Sequence, residues 1–177
     1  KQGLRLSTAL TPRVISCAED HPRHVSLPRG CLDDLRSLLG GHAVRLDLED
    51  ERHQGPTLDV SFASSLTPRQ EEAAQMLLAH DTGVFVAPPG SGKTVVGSYL
   101  IAARARSAVV LVHRQPLLDQ WVEQLSLHLG VDPREIGRVG GGVRKPNGRL
   151  DVAMIQSLVR GDEIDEIVGG YGHVIVD

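Results

Sequence analysis

The stretch GVFVAPPGSGKTVVGSYLIAARA, residues 83 to 105, decides the fold. Its first five residues, GVFVA, are a continuous apolar run, the pattern of a parallel strand buried on both faces. From Thr94 onward the residues predict a helix. Between the two lies a Gly/Pro loop, Pro88 to Thr94. Glycines in such a loop let the backbone come close to a ligand, and successive N–H groups then face a polyphosphate at the helix N-terminus. Pro89, Gly90, Ser91 and Gly92 would form this cradle. Lys93 would reach the β/γ-phosphate oxygens, and the Thr94 hydroxyl would complete a Mg²⁺ shell. Ala87 stands where the strict pattern has Gly, but the later glycines lie closest to phosphate. A glycine-rich turn with a chance lysine is the bland alternative. A strand before, a helix after and the complete Gly-Lys-Thr ending outweigh it, and point to a bound nucleoside triphosphate.

Working outward, strands alternate with helices. LTPRQEEAAQMLLAH predicts a helix with Thr67 as N-cap, Pro68 at the first helical position and Gln70 closing a capping box. Downstream come the strand AVVLV, the amphipathic helix PLLDQWVEQLSLHL, the strand DVAMI, a short helix around DEIDEIV and the strand HVIVD. This order predicts an α/β fold with a doubly wound parallel sheet covered on both faces. Ligands of such sheets bind beyond the carboxyl ends of the strands. Asp177 closes the last strand, where a carboxylate is expected to help hold the nucleotide's Mg²⁺. An ordinary strand-ending Asp is the competing reading, and the phosphate loop disfavours it.

The chain has 177 residues, 41% hydrophobic and 23% charged, as in an ordinary globular protein with room for one large domain and an appendage. No run approaches a membrane span and no signal-peptide pattern is present, so a cytoplasmic protein is expected. A net charge of −3 gives no global attraction for polyanions, and any such partner must meet a local basic surface. Cys17, His21, His24 and Cys31 could suggest zinc, but the ligand order matches no usual pairing. Two reduced thiols are the simpler expectation.

Residues 1–62 read as a small α/β unit, and 63–177 as the sheet domain. In the first, RVISCA, HAVRLDLED and LDVSF have strand-like patterns. Leu32, Leu35, Leu38 and Leu39 have helical spacing, and Gly40 and Gly41 are expected to stop that helix.

LTPRQEEA, APPGSGKT, VLVHRQPLLDQW, VGGG, DVAMIQSL and HVIVD occur in that order. Together they resemble the first RecA-like motor domain of superfamily 2 DNA helicases of the DExH type, nearest to the XPB-like and type III restriction-subunit groups. The resemblance covers about residues 64–177. It implies ATP as the nucleotide and DNA as the partner, with RNA left open. It makes Gln70 the adenine-reading glutamine, in competition with its capping role. His113 and Arg114 would grip the nucleic-acid backbone, as would Gly140 and Gly141, the latter in competition with a solvated hairpin whose tip is Asn147-Gly148. Gln156 and Ser157 carry over from a further DNA-contacting motif, although Met154 stands where the family commonly has Thr. Trp121 is expected in the core.

The resemblance also implies a Glu following Asp177 as catalytic base, and arginine fingers from a second RecA-like domain. Without these, Lys93 and Asp177 are expected to bind nucleotide weakly and to support negligible hydrolysis. Residues 1–62 are similar in placement to the damage-recognition-like domain of XPB-type helicases. They also look like the segment that joins a primase-like domain to a helicase in TOTE-type conflict proteins, while a plain adaptor remains the alternative. A P-loop kinase and a non-catalytic DNA-binding module are the other functional readings. The first lacks an arginine-rich lid, and the second would bind DNA without regard to nucleotide.

Overall fold

A computed structural model describes residues 17–160 and 163–177. The chain divides into two compact units, Lys1–Asp50 and Glu51–Asp177.

Within the first unit, β1 (Glu19–Asp20) pairs antiparallel with β2 (Val25–Ser26). The helix α1 (Leu32–Gly41) follows. The predicted leucine spacing is helical, but the helix runs through Gly40 and Gly41 and its chain turns only at His42 and Ala43. HAVRLDLED forms no strand, and RVISCA lies partly outside the described residues. No described residue from 17 to 50 is buried, so alternation here had no second layer to face.

The second unit is built on α2 (Pro68–Leu78), α3 (Lys93–Arg104), β3 (Ala108–Val112), α4 (Gln115–Leu129), β4 (Gly137–Gly140), β5 (Val143–Lys145), β6 (Leu150–Met154), α5 (Ile155–Leu158), β7 (Val159–Arg160), β8 (Glu163–Ile164) and β9 (His173–Val176). The main sheet has the order β5-β4-β6-β3-β9. β4, β6, β3 and β9 run parallel, and only β5 is antiparallel. The core packs one face of this sheet against the helices, with Val110, Val112, Leu118, Trp121, Val122, Leu125 and Val152 at its centre. A second cluster, Val109, Val139, Ala153, Leu158 and Tyr171, covers the other face. The doubly covered parallel sheet is as expected.

GVFVA departs from its expected strand. Residues 83–87 form no ladder; Val84 and Val86 are 87% and 88% exposed, and only Phe85 packs, against the Ala74, Val96 and Leu100 cluster. A strand is defined by a neighbour's N–H and C=O groups, and no described strand pairs with this segment. LDVSF likewise is not a strand. It belongs to the second unit, with Leu58 buried and Val60 and Phe62 packed on the main core. Around DEIDEIV the chain forms β8 and then the expected short helix, which is of the 3-10 type and spans Glu166–Gly170.

Two polar devices fix the sheet. Arg104 on α3 donates to the carbonyls of Leu77 and His80, satisfying the C-terminal end of α2 and tying the two helices together. At the amino end of β6, the buried Asp151 carboxylate accepts from the backbone N–H groups of Asn147 and Gly148 and from the Tyr171 hydroxyl. Burial first, and the Asp151 bond second, push the Tyr171 phenol well above its ordinary range. Gly137 is required here, because a Cβ would lie 1.9 Å from an Asp151 oxygen.

Candidate functional site

The loop before α3 turns through Gly90 and Gly92, whose φ angles are +78° and +80°. Both are in the left-handed region that favours glycine. Gly92 caps α3 with no side-chain hydrogen bond, and no acidic residue occupies the first turn. The first N–H groups of this helix therefore have no side-chain acceptor, and the positive end of the helix is open to an anion. The Ser91 hydroxyl is buried without a partner among the described residues. The Lys93 ammonium donates to the carbonyls of Ala87 and Pro88 at 3.0 and 3.2 Å. The loop is closed by its own lysine.

Gln70 joins this loop to α2. Its Oε1 accepts from the Thr67 N–H at 2.9 Å while Thr67 Oγ1 accepts from the Gln70 N–H, which completes the expected capping box. Its Nε2 donates to the Ser91 carbonyl at 2.9 Å. Both ends of the amide are thus engaged inside the protein. Gly92 must lack a side chain partly for this reason, since a Cβ would sit 2.4 Å from Gln70 Nε2.

The other candidate residues leave the carboxyl ends of the parallel strands. His113 and Arg114 follow β3 and are exposed. Gln156 follows β6, and its Nε2 donates to the His113 carbonyl at 2.9 Å, bridging two loops. Gly140 ends β4, and the β4–β5 hairpin turns through Gly141 and Gly142, both at positive φ. This is the two-residue turn that needs positive φ twice. The hairpin tip is therefore Gly141-Gly142, not Asn147-Gly148. The latter forms a separate turn before β6, in which Asn147 Oδ1 accepts from the N–H groups of Arg149 and Leu150. Ser157 offers its carbonyl to Arg144, whose guanidinium also pairs with Asp165. Arg144 is consequently engaged, while Lys145 remains exposed.

Two neighbours of the glycines escaped sequence reasoning. A Cβ on Gly140 would lie 2.6 Å from Met154 Cγ, and one on Gly141 would lie 2.2 Å from Gln115 Oε1. Met154 and Gln115 thus set the shape of the hairpin's approach to β6 and α4. Neither contact has a local sequence signal.

Asp177 follows β9. Its N–H donates to the Leu111 carbonyl at 2.9 Å, continuing the β3–β9 ladder. Its carboxylate accepts from the Trp121 indole N–H at 2.8 Å. Trp121 is core, as expected, at 3% exposure; the hydrogen bond was not foreseen, since 56 residues separate the partners. Cys17 is exposed and Cys31 half-buried, and the described residues contain no cluster of three or more His, Cys, Asp or Glu suited to a metal.

A protein of Haloarcula marismortui named as the DNA 3'-5' helicase Rad25 is 31% identical over 105 residues, which are 59% of this chain and 17% of that protein. The DNA 3'-5' helicase XPB of Mycobacterium tuberculosis is 28% identical over 128 residues, 72% of this chain and 21% of its own. The chain thus spans about a fifth of the length of these relatives. The crystal structure of the UvsW helicase from bacteriophage T4 superposes with a TM-score of 0.53 at 13% identity, covering 89% of this chain and 81% of that one, a likeness of fold. Residues 63–177 match the family model described as type III restriction enzyme, res subunit, and the chain belongs to that family.

Proposed function

We propose that this chain carries the nucleotide-binding part of an ATP-dependent DNA helicase or translocase motor. The observation that supports it best is the joint layout of one sheet. The uncapped N-terminus of α3, with no acidic residue in its first turn, offers an anion site. His113, Gly140, Gln156 and Asp177 all leave the carboxyl ends of neighbouring parallel strands. Nucleotide and nucleic-acid backbone would then be read from one sheet.

In this proposal Lys93 exchanges the Ala87 and Pro88 carbonyls for phosphate oxygens, and the N–H groups of the loop and of the first turn of α3 hold the remaining oxygens. The open helix end and the unpartnered Ser91 hydroxyl suit a triphosphate, and the Thr94 hydroxyl and the Asp177 carboxylate are the oxygen donors that would hold Mg²⁺, a hard cation that takes oxygen ligands. When bound, the ion neutralises phosphate charge. Gln70 must release at least one internal hydrogen bond to meet adenine. Exposed His113 and Arg114, the backbone at Gly140 and Gly141, and Gln156 and Ser157 hold DNA phosphates without reading sequence. A second RecA-like domain completes the motor. The names of the two relatives described above favour DNA.

The test is nucleotide and DNA binding by wild type and Lys93→Ala. Nucleotide affinity is expected to fall about ten- to a hundredfold, the scale of lost hydrogen bonds to a charged group. DNA affinity is expected to fall steeply with salt and to respond to ATP analogues in the wild type only. DNA binding that ignores both nucleotide and Lys93 would replace the motor with a passive binding module.

A further inference from the structure

Trp121 is the chain's single tryptophan. Its side chain is wedged between three elements. The ring's far edge meets α3 at Gly97, where a Cβ would lie 2.7 Å from Trp121 Cη2. Gly97 is one turn after the phosphate-loop residues Lys93 and Thr94. The ring itself springs from α4, whose N-terminus carries Arg114 as its cap residue. Its N–H ends on Asp177 Oδ2. Asp177 is exposed while Trp121 is buried, so a rigid buried donor grips one oxygen of an otherwise solvent-facing carboxylate.

A strand-ending Asp has a free side-chain torsion, and freezing a side chain costs entropy each time a ligand demands one geometry. The indole supplies that order in advance. Its donor is charge-assisted, because the acceptor is ionised, and such bonds are shorter and stronger than neutral ones. The N–H can satisfy only one oxygen, leaving Oδ1 for a second partner. Trp121 has no acceptor capacity and cannot itself ligate a cation.

We propose that Trp121 is a positioning residue that orients the Asp177 carboxylate for the metal accompanying the nucleotide. This rests on the proposed nucleotide site and adds to it a device that spans both helices leading away from the binding rim. Because the same ring is held by α3 and α4, displacement of α4 when nucleic acid engages its N-terminus would be felt at Asp177.

Two measurements on the full chain test it. The lone indole gives one side-chain N–H resonance in a nitrogen-15 correlation spectrum. It is expected downfield in the wild type, and should move upfield in Asp177→Ala, a change at an exposed residue that leaves the core intact. A resonance that does not move would show that the hydrogen bond is absent and overturn the proposal. The second measurement is ATP affinity with Mg²⁺ and with EDTA. Trp121→Phe, its folding checked by thermal melting, is expected to lose about tenfold of the gain that Mg²⁺ confers, with little change in EDTA. Retention of the full Mg²⁺ gain would overturn the positioning role. Failure of the wild type to bind ATP under either condition would instead sink the nucleotide reading and the positioning role with it, while the indole shift would still report the contact.

Discussion

At the scale of single residues, the clearest physical lever outside the binding rim is His173, the first residue of β9. Burial, and then the positive charge of nearby Arg104, lower its pKa from 6.5 to about 4. Its Nδ1 has no hydrogen-bond partner among the described residues. The neutral ring is therefore what the fold accommodates. An unfolded chain takes up a proton as pH falls through 6.5, whereas the folded chain resists until about pH 4. The resulting stability is complete above pH 6.5 and is lost progressively between 6.5 and about 4, by about 3 kcal/mol in all. Denaturant titrations at several pH values should show that slope in the wild type and a flatter one in His173→Gln. Equal slopes would remove His173 from the account of acid sensitivity.

Other single residues differ in how much they announced. Thr67 and Gln70 declared their capping box because both partners lie within one turn, and the geometry follows from spacing alone. The same Gln70 amide also reaches Ser91, a contact that depends on how α2 lies against the loop and that no local pattern encodes. Arg144 stands beside Lys145 in the sequence, yet its guanidinium pairs with Asp165. Charge in sequence says what a side chain can do, and only packing says whether it is already doing something else.

At the scale of elements, legibility followed the origin of the stabilising contacts. The boundaries of α3, α4, β3 and β6 were visible because their apolar periodicity meets a core on the same unit. GVFVA has an equally convincing pattern, but a strand needs a partner as well as a pattern, and 83–87 pair with no described strand. The helix pair α3–α4 shows a dependence that its sequence conceals. Gly97 in the middle of α3 looks like a weakness, since glycine there costs about 1 kcal/mol relative to alanine. The Trp121 ring explains it. Gly97→Ala would place a methyl 2.7 Å from Cη2 and 3.4 Å from Cζ3 of a planar side chain buried at 3% exposure. Overpacking of this kind costs about 1–3 kcal/mol, so the substitution should destabilise despite the better helix former. It should also shift Trp121 emission, because the ring must move. A stabilised Gly97→Ala protein with unchanged fluorescence would mean that the indole is not wedged there.

At the scale of the whole molecule, the two units contrast in what holds them. Among the described residues, the buried hydrophobic positions run from Leu58 to Tyr171. Residues 51–62, which composition alone groups with the N-terminal unit, lie in the second unit. Leu58 donates its N–H to the Ala105 carbonyl and Thr57 bridges to Arg106, so this segment is stitched to the end of α3 as well as packed on the core. The Ala63 N–H donates to the His128 carbonyl, and Ser64 Oγ lies 2.7 Å from His128 Nδ1, which seals the far end of α4. A linker would carry none of these bonds. Two truncations separate the possibilities. A chain beginning at Glu51 keeps every one of these contacts and should unfold in one cooperative transition close to that of the intact second unit. A chain beginning at Ala63 loses Leu58 from a buried position, a change worth about 2–5 kcal/mol by analogy with large-to-small core substitutions, together with Val60 and Phe62. Its transition midpoint should drop by several degrees or more, since about 1 kcal/mol shifts the midpoint of a domain this size by roughly 4 °C. Equal melting of the two truncations would return residues 51–62 to the N-terminal unit, and would imply that the core closes without Leu58.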